Sequence, residues 1–133
     1  MQRETILLVD DDAAVRNFAR ILLERAGYKV HTAGDGEEGL RIFQDHRTTI
    51  QLLITDLRMP NMNGLDLASR VLQTESRLPV LFMTGDGPTA VKGYDHVAKP
   101  VKPAELIRRV DEVLSESNGG QRREASAVVG AGC

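Results

Sequence analysis

The chain has 133 residues, of which 41% are hydrophobic and 4% aromatic, so we expect one domain with a core of Leu, Ile and Val. A formal net charge of −2 gives no electrostatic attraction to nucleic acid or to acidic lipid, and we expect neither as a partner. The single cysteine, Cys133, excludes an intrachain disulfide, and no apolar stretch approaches the ~18 residues of a membrane span, which together favour a cytoplasmic location.

Strand patterns alternate with helix patterns along the chain. Short apolar runs without polar alternation are typical of strands covered on both faces of a parallel sheet, and they occur at residues 6–9, 28–33, 52–54 and 80–83. A fifth strand is expected to begin near Tyr94. Between the strands, apolar residues repeat at helical spacing, and the residues expected to cap or begin the helices are Asp12, Asp35, Asn63 and Pro103. This order predicts an α/β fold with right-handed crossovers.

Two segments depart from a regular alternation. Only residues 85–93 separate the fourth strand, ending at Thr84, from the fifth strand, and this is too short for a full helical crossover. We therefore expect the fourth helix to be shortened or absent. From about Ser117 onward the composition changes to Gly, Ser, Ala and Arg, so we expect a domain over residues 1–117 and a flexible tail over residues 118–133.

Polar residues that suit one shared site follow or end four of the strands. They are Asp10, Asp11, Asp56, Thr84 and Lys99. In open α/β sheets, ligands bind at the carboxyl ends of the strands. Two carboxylates about 4 Å apart repel by about 4 kcal/mol at an effective dielectric of about 20, so the three acids need a cation among them or a proton on one. Mg²⁺ satisfies this, a carboxylate can attack phosphorus, and a lysine and a hydroxyl suit phosphoryl oxygens.

The sequence closely resembles the receiver domain of bacterial two-component response regulators, from Thr5 to about Ser115. The resemblance is carried by residues 6–12, 54–64, 83–85 and 99–100, which read ILLVDDD, ITDLRMPNMNG, MTG and KP. It implies a flavodoxin-like, doubly wound, five-stranded parallel sheet of order 2-1-3-4-5. It also implies a signalling switch that phosphorylates itself and dephosphorylates slowly, and not an enzyme with a free substrate.

The resemblance further implies a role for each site residue. Asp56 is the phosphoacceptor; Asp10 and Asp11, with Asp56 and the backbone carbonyl of Arg58, bind Mg²⁺. Thr84 and Lys99 bind the phosphoryl group, and Thr84 is also a switch residue. The phosphoryl donor is a phosphohistidine on a sensor histidine kinase or a phosphotransfer protein.

Two features depart from the family pattern. The switch position three residues before the lysine is usually Tyr or Phe, and here it is His96, whereas Tyr94 lies two residues too early. We expect either a tolerated ring at His96 or a switch that depends on pH, because imidazoles titrate near neutral pH. The short segment at residues 85–93 belongs to the usual output face, so we expect a monomer or a weak phosphorylation-dependent dimer.

Three alternatives stay open on the sequence. Residues 34–39 match the GxGxxG pattern of dinucleotide sites, but Asp35, Glu37 and Glu38 would repel a pyrophosphate. A haloacid-dehalogenase-type phosphatase also uses a strand-end Asp, but it needs an acid where this chain has Arg58. The third alternative is the detached C-terminal receiver of a hybrid sensor histidine kinase, which would relay phosphate to a phosphotransfer protein.

Overall fold

The computed structural model describes residues 4–87, 91 and 93–126, with side chains described as far as residue 117. Its strands are β1 (Thr5–Val9), β2 (Lys29–Ala33), β3 (Ile50–Asp56), β4 (Val80–Thr84) and β5 (Asp95–Ala98). Its α-helices are α1 (Ala13–Arg25), α2 (Gly36–Asp45), α3 (Gly64–Thr74) and α4 (Pro103–Ser126). All neighbouring strands are parallel and their order is β2-β1-β3-β4-β5, which confirms the predicted sheet.

Two hydrophobic cores lie on opposite faces of the sheet. Side chains of β1 alternate between them: Ile6 and Leu8 pack under α1 and α4, whereas Leu7 and Val9 pack under α2 and α3. Every residue of β1 is buried, which is why its sequence shows no polar alternation. Helices thus cover both faces of the sheet, and a ligand site is expected at the ends of the central strands.

Asp12, Asp35 and Asn63 cap the first three helices, as predicted. Each side chain accepts backbone N–H bonds from the first turn that follows it; for example, Asp35 Oδ1 accepts from the Glu38 N–H at 2.8 Å. Glu38 Oε1 in turn accepts the Gly34 N–H at 2.8 Å, so the start of α2 is occupied by its own acidic side chains.

The glycines of the GxGxxG pattern are explained by packing. A Cβ on Gly36 would lie 2.8 Å from Met62 Cβ, and one on Gly39 would lie 2.9 Å from Val9 Cγ2. At these two glycines α2 packs so closely against the β3–α3 loop and the sheet that a side chain would not fit. The pattern therefore reflects a closely packed capped helix, which weighs against the dinucleotide alternative.

The connection between β4 and β5 contains no α-helix among its described residues, where Val91 lies in a short 3-10 turn. The prediction of a shortened fourth helix also covers residues 88–90 and 92, which lie outside the described part of the chain. At the other end, α4 continues to Ser126, nine residues past the predicted boundary at residue 117. The rest of the predicted tail, residues 127–133, lies outside the described residues, and its flexibility stays a prediction.

Within the described ranges, no helix has both the length and the apolar character needed to cross a bilayer.

Candidate functional site

The predicted polar residues meet at one edge of the sheet because the strand registers align there. Val9, the residue before Asp10, pairs with Thr55, and Asp56 pairs with Met83 on β4. Thr84 pairs with Ala98, the residue before Lys99. The ends of β1, β3, β4 and β5 are thus level, as the sequence predicted.

Three carboxylates come together at this edge. One side-chain oxygen from each of Asp10, Asp11 and Asp56 lies within 4.8 Å of the other two. Asp10 is fully buried and Asp56 is buried to 9% exposure, whereas Asp11 is exposed. At 4.8 Å and an effective dielectric of about 20, each pair of ionised carboxylates repels by about 3.5 kcal/mol.

Lys99 lies between the two buried acids. Its Nζ is 2.9 Å from Asp10 Oδ2 and 3.1 Å from Asp56 Oδ2. Burial alone would lower the pKa of Lys99, but the close contact with Asp10 and its charge, followed by those of Asp56, outweigh it and raise the pKa. Lys99 is therefore an ammonium at neutral pH.

Asp56 keeps a raised pKa in spite of this neighbour. Burial is the largest cause; the hydrogen bond and charge of Lys99 and a backbone hydrogen bond from Arg58 lower the pKa, and the charge of Asp10 raises it again. One ammonium, paired with two of the three carboxylates, leaves the site negatively charged. A further cation would therefore be stabilised there.

The donor atoms fit a hard divalent ion. Asp10 Oδ1 accepts the Asp12 N–H at 2.9 Å, but the buried Asp10 Oδ2 has no hydrogen-bond donor with good geometry in the described structure; its close contact is the ion pair with Lys99. A buried carboxylate oxygen with a free lone pair, beside an exposed carboxylate at Asp11, suits a Mg²⁺ that keeps several waters. The residues present therefore fit the Mg²⁺ that the sequence predicted.

Thr84 ends β4 with its side chain buried and its hydroxyl engaged. Its Oγ1 accepts the backbone N–H of Asp86 at 3.0 Å, and its backbone carbonyl accepts the N–H of Lys99 at 3.0 Å. Sequence reasoning missed Asp86, which also pairs with Arg58: Arg58 Nε lies 2.6 Å from Asp86 Oδ2. The only sequence signal was an acid two residues past Thr84, which is too weak to find the pair.

The loop after β3 folds back on the site at Gly64. The Gly64 N–H donates to the Leu57 carbonyl at 2.8 Å, and a Cβ on Gly64 would lie 2.2 Å from the Asp56 carbonyl oxygen. No side chain fits this approach without moving backbone. The same loop places the Arg58 backbone at Asp56; the role of the Arg58 carbonyl as a metal ligand stays a prediction.

His96 lies on β5 in register with Phe82 and is half-buried. The ring of Tyr94 packs edge-on against Phe82, with centroids 5.1 Å apart. Tyr94 thus fills space next to the residue that pairs with His96. The switch role of His96 stays a prediction.

Known proteins with similar sequences share one domain. Residues 6–111 match the family described as the response regulator receiver domain. The DNA-binding response regulator MtrA of Mycolicibacterium paratuberculosis is 37% identical over 115 residues, which cover 81% of this chain and 50% of that protein. The probable transcriptional regulator ycf27 of Porphyridium aerugineum is 36% identical over 132 residues, covering 89% and 54%. The chain thus spans about half the length of the curated relatives it matches.

Solved structures give the same result. The chemotaxis protein CheY4 of Vibrio cholerae superposes with a TM-score of 0.77 at 29% identity, covering 84% of this chain and 99% of that chain. The receiver domain of the hybrid histidine kinase CckA superposes with a TM-score of 0.74 at 37% identity, covering 83% and 98%.

Proposed function

The chain belongs to the family of response regulator receiver domains, which act as switches in two-component signalling, and we propose that it accepts a phosphoryl group on Asp56. One observation carries the proposal: Asp10, Asp11 and Asp56 lie within 4.8 Å of one another at a sheet edge. Lys99 bridges the two buried members of this cluster. Such a site has a nucleophile, a cation to stabilise charge and carboxylate oxygens that suit a metal.

Asp56 is the nucleophile in this proposal. Its carboxylate attacks phosphorus in line, a carboxylate–phosphorus bond forms, and the phosphorus–nitrogen bond of a phosphohistidine breaks. Lys99, held as an ammonium by Asp10 and Asp56, follows the developing charge onto a phosphoryl oxygen. The Thr84 hydroxyl donates to a second phosphoryl oxygen.

The acids around Asp56 suit Mg²⁺, which would be held by Asp10, Asp11, Asp56 and the carbonyl of Arg58. When bound, the ion supplies positive charge to the phosphoryl oxygens. Asp10 and Asp11 themselves keep the cluster too negative to accept an anion without such compensation. Phosphorylation by small donors and slow self-dephosphorylation belong to the same proposal.

The phosphoryl donor that we propose is a phosphohistidine on a sensor histidine kinase, and the transfer takes place in the cytoplasm. A second context is favoured by the likeness to the CckA receiver: the chain would then serve in a hybrid kinase and pass phosphate to a phosphotransfer protein.

The relative MtrA is named as a DNA-binding response regulator, which runs against the prediction of no nucleic-acid partner. We assign DNA contact, where it exists, to the part of such a protein beyond this domain, since this chain has a net charge of −2.

Intact-mass measurement tests the proposal. After incubation with acetyl phosphate and Mg²⁺, the parent protein should gain the mass of one phosphoryl group, and the Asp56→Asn variant should gain nothing. A parent that stays unmodified, or a variant that gains the same mass, would contradict the assignment of Asp56.

A further inference from the structure

An ion pair bridges the two loops at the mouth of the site. Arg58, in the loop after β3, places Nε 2.6 Å from Oδ2 of Asp86, in the loop after β4. The Arg58 side chain is 79% exposed and that of Asp86 is 34% exposed. Asp86 also donates its backbone N–H to Thr84 Oγ1 at 3.0 Å. Arg58 is therefore linked through Asp86 to the hydroxyl that the proposed function assigns to the phosphoryl group.

We propose that the Arg58–Asp86 ion pair is a latch that holds the Thr84 loop in its unphosphorylated position, and that a phosphoryl group on Asp56 opens this latch by attracting the Arg58 guanidinium. The inference rests on the proposed role of Asp56 as phosphoacceptor. It adds a positioning role for two side chains outside the acid cluster.

The position of the loop after β4 depends on the contacts of Asp86 itself. Asp86 lies between Gly85 and Gly87, and a Cβ added to either glycine would meet no atom of the described residues within 4 Å. Gly87 also has a φ of +87°, a conformation that glycine adopts freely. Packing at these two glycines therefore does not fix the described part of the loop, and Asp86 is held there by its ion pair with Arg58 and its N–H bond to Thr84 Oγ1.

The latch opposes the movement expected of Thr84. For the hydroxyl to reach a phosphoryl oxygen, Thr84 Oγ1 must either leave the Asp86 N–H or bring Asp86 with it. In the second case the Arg58 contact has to stretch, and in the first case the Asp86 N–H loses its partner. The route that moves Asp86 avoids the loss of its N–H bond, and it becomes easier once Arg58 has released the Asp86 carboxylate.

Arg58 is well placed to respond to charge on Asp56. It follows Asp56 by two residues, in the loop that begins where β3 ends. A phosphoryl group adds negative charge and several acceptor oxygens at that carboxylate. A guanidinium binds such oxygens with paired hydrogen bonds, so the phosphoryl group competes with Asp86 for Arg58.

The size of the effect is limited by the exposure of the pair. Exposed ion pairs of this kind shift an equilibrium by at most about fivefold. Opening the latch by mutation should therefore strengthen binding of a phosphoryl analogue by up to about fivefold.

A double-mutant cycle with beryllofluoride tests the latch. Beryllofluoride is titrated in saturating Mg²⁺ into four proteins: the parent, Arg58→Gln, Asp86→Asn and the double variant. The NMR signals of the Gly85 and Gly87 backbone amides give the dissociation constant of each. Asp86→Asn should tighten binding in the parent background and leave it unchanged in the Arg58→Gln background. An equal gain in beryllofluoride affinity in both backgrounds would show a simple charge effect of Asp86. No gain in the parent background would show that the ion pair does not restrain the Thr84 loop. Either result overturns the latch.

Two controls complete the experiment. Arg20→Gln breaks an exposed ion pair with Glu24 on α1 and should leave the beryllofluoride affinity unchanged. A parent that fails to bind beryllofluoride contradicts the proposed function and the latch together. A parent that binds it without coupling between Arg58 and Asp86 contradicts the latch alone.

Discussion

Replacing Lys99 by Gln should lower the free energy of unfolding, because the acid cluster then has no positive charge to offset the repulsion among its carboxylates. At 2.9 and 3.1 Å, the ammonium attracts Asp10 and Asp56 by about 5–6 kcal/mol each at an effective dielectric of about 20. Each carboxylate pair repels by about 3.5 kcal/mol at 4.8 Å. Since removing one partner of a buried ion pair costs about 3–5 kcal/mol and the Lys99 side chain is 21% exposed, we expect a loss near the lower end of that range.

Urea unfolding in EDTA measures this loss directly. The midpoint of Lys99→Gln should fall by about 1–3 M relative to the parent, whereas the exposed neighbour Lys102→Gln should leave it nearly unchanged. Mg²⁺ should then stabilise Lys99→Gln more than the parent, because the metal replaces the missing positive charge. At one fixed Mg²⁺ concentration, about 100 times the dissociation constant of the parent, binding contributes about 2.7 kcal/mol to the parent, and the same concentration should contribute more to Lys99→Gln. A variant as stable as Lys102→Gln, or an equal gain from Mg²⁺ in both proteins, would refute this electrostatic account.

Three further predictions follow from the same contacts. Burial raises the pKa of Asp56 above its ordinary 3.8, so the folded, metal-free protein binds this proton more tightly than the unfolded chain does. The free energy of unfolding should therefore fall as the pH rises from 3.8 through the pKa of the folded state. In urea, Asp56→Asn should therefore be more stable than the parent near pH 7 in EDTA and should lose this advantage below about pH 3.8; the opposite order would count against the pKa shift. Gly64→Ala should cost about 1–3 kcal/mol of unfolding free energy because its Cβ would lie 2.2 Å from the Asp56 carbonyl oxygen, while Gly85→Ala, with open space around it, should cost much less; equal costs would contradict the close approach. Light scattering of the beryllofluoride-treated protein should show a monomer or a weak dimer, because the described residues between β4 and β5, on the usual output face, form no α-helix; a tight dimer would be the contrary result.

The site was predictable because the strands and caps are local features. Buried runs place the residues that follow them at one sheet edge, so Asp10, Asp56 and Lys99 could be grouped without knowing any distance. The cap residues were predictable for the same reason, since a cap bonds to N–H groups two or three residues away.

Pairs between distant surface segments were not predictable. Arg58 and Asp86 are 28 residues apart on two loops, and nothing in either loop indicates the other. The Tyr28 hydroxyl donates to the Asp111 carboxylate, 83 residues away on α4, and burial followed by this hydrogen bond raises the pKa of Tyr28. Both pairs depend on how the elements pack.

The boundary at residue 117 was predicted from the change of composition to Gly, Ser, Ala and Arg, which includes Gly119 and Gly120. Glycine costs only about 1 kcal/mol in a helix, and residues 121–125 include good helix formers. The helix accordingly continues to Ser126. Composition alone did not fix this boundary.

Calorimetric titration with Mg²⁺ tests most directly whether the three acids form a metal site. The parent should bind one ion, and Asp11→Asn, which removes an exposed carboxylate without disturbing the core, should bind it much more weakly. A parent that binds no Mg²⁺, or an Asp11→Asn variant with unchanged affinity, would contradict the proposed site.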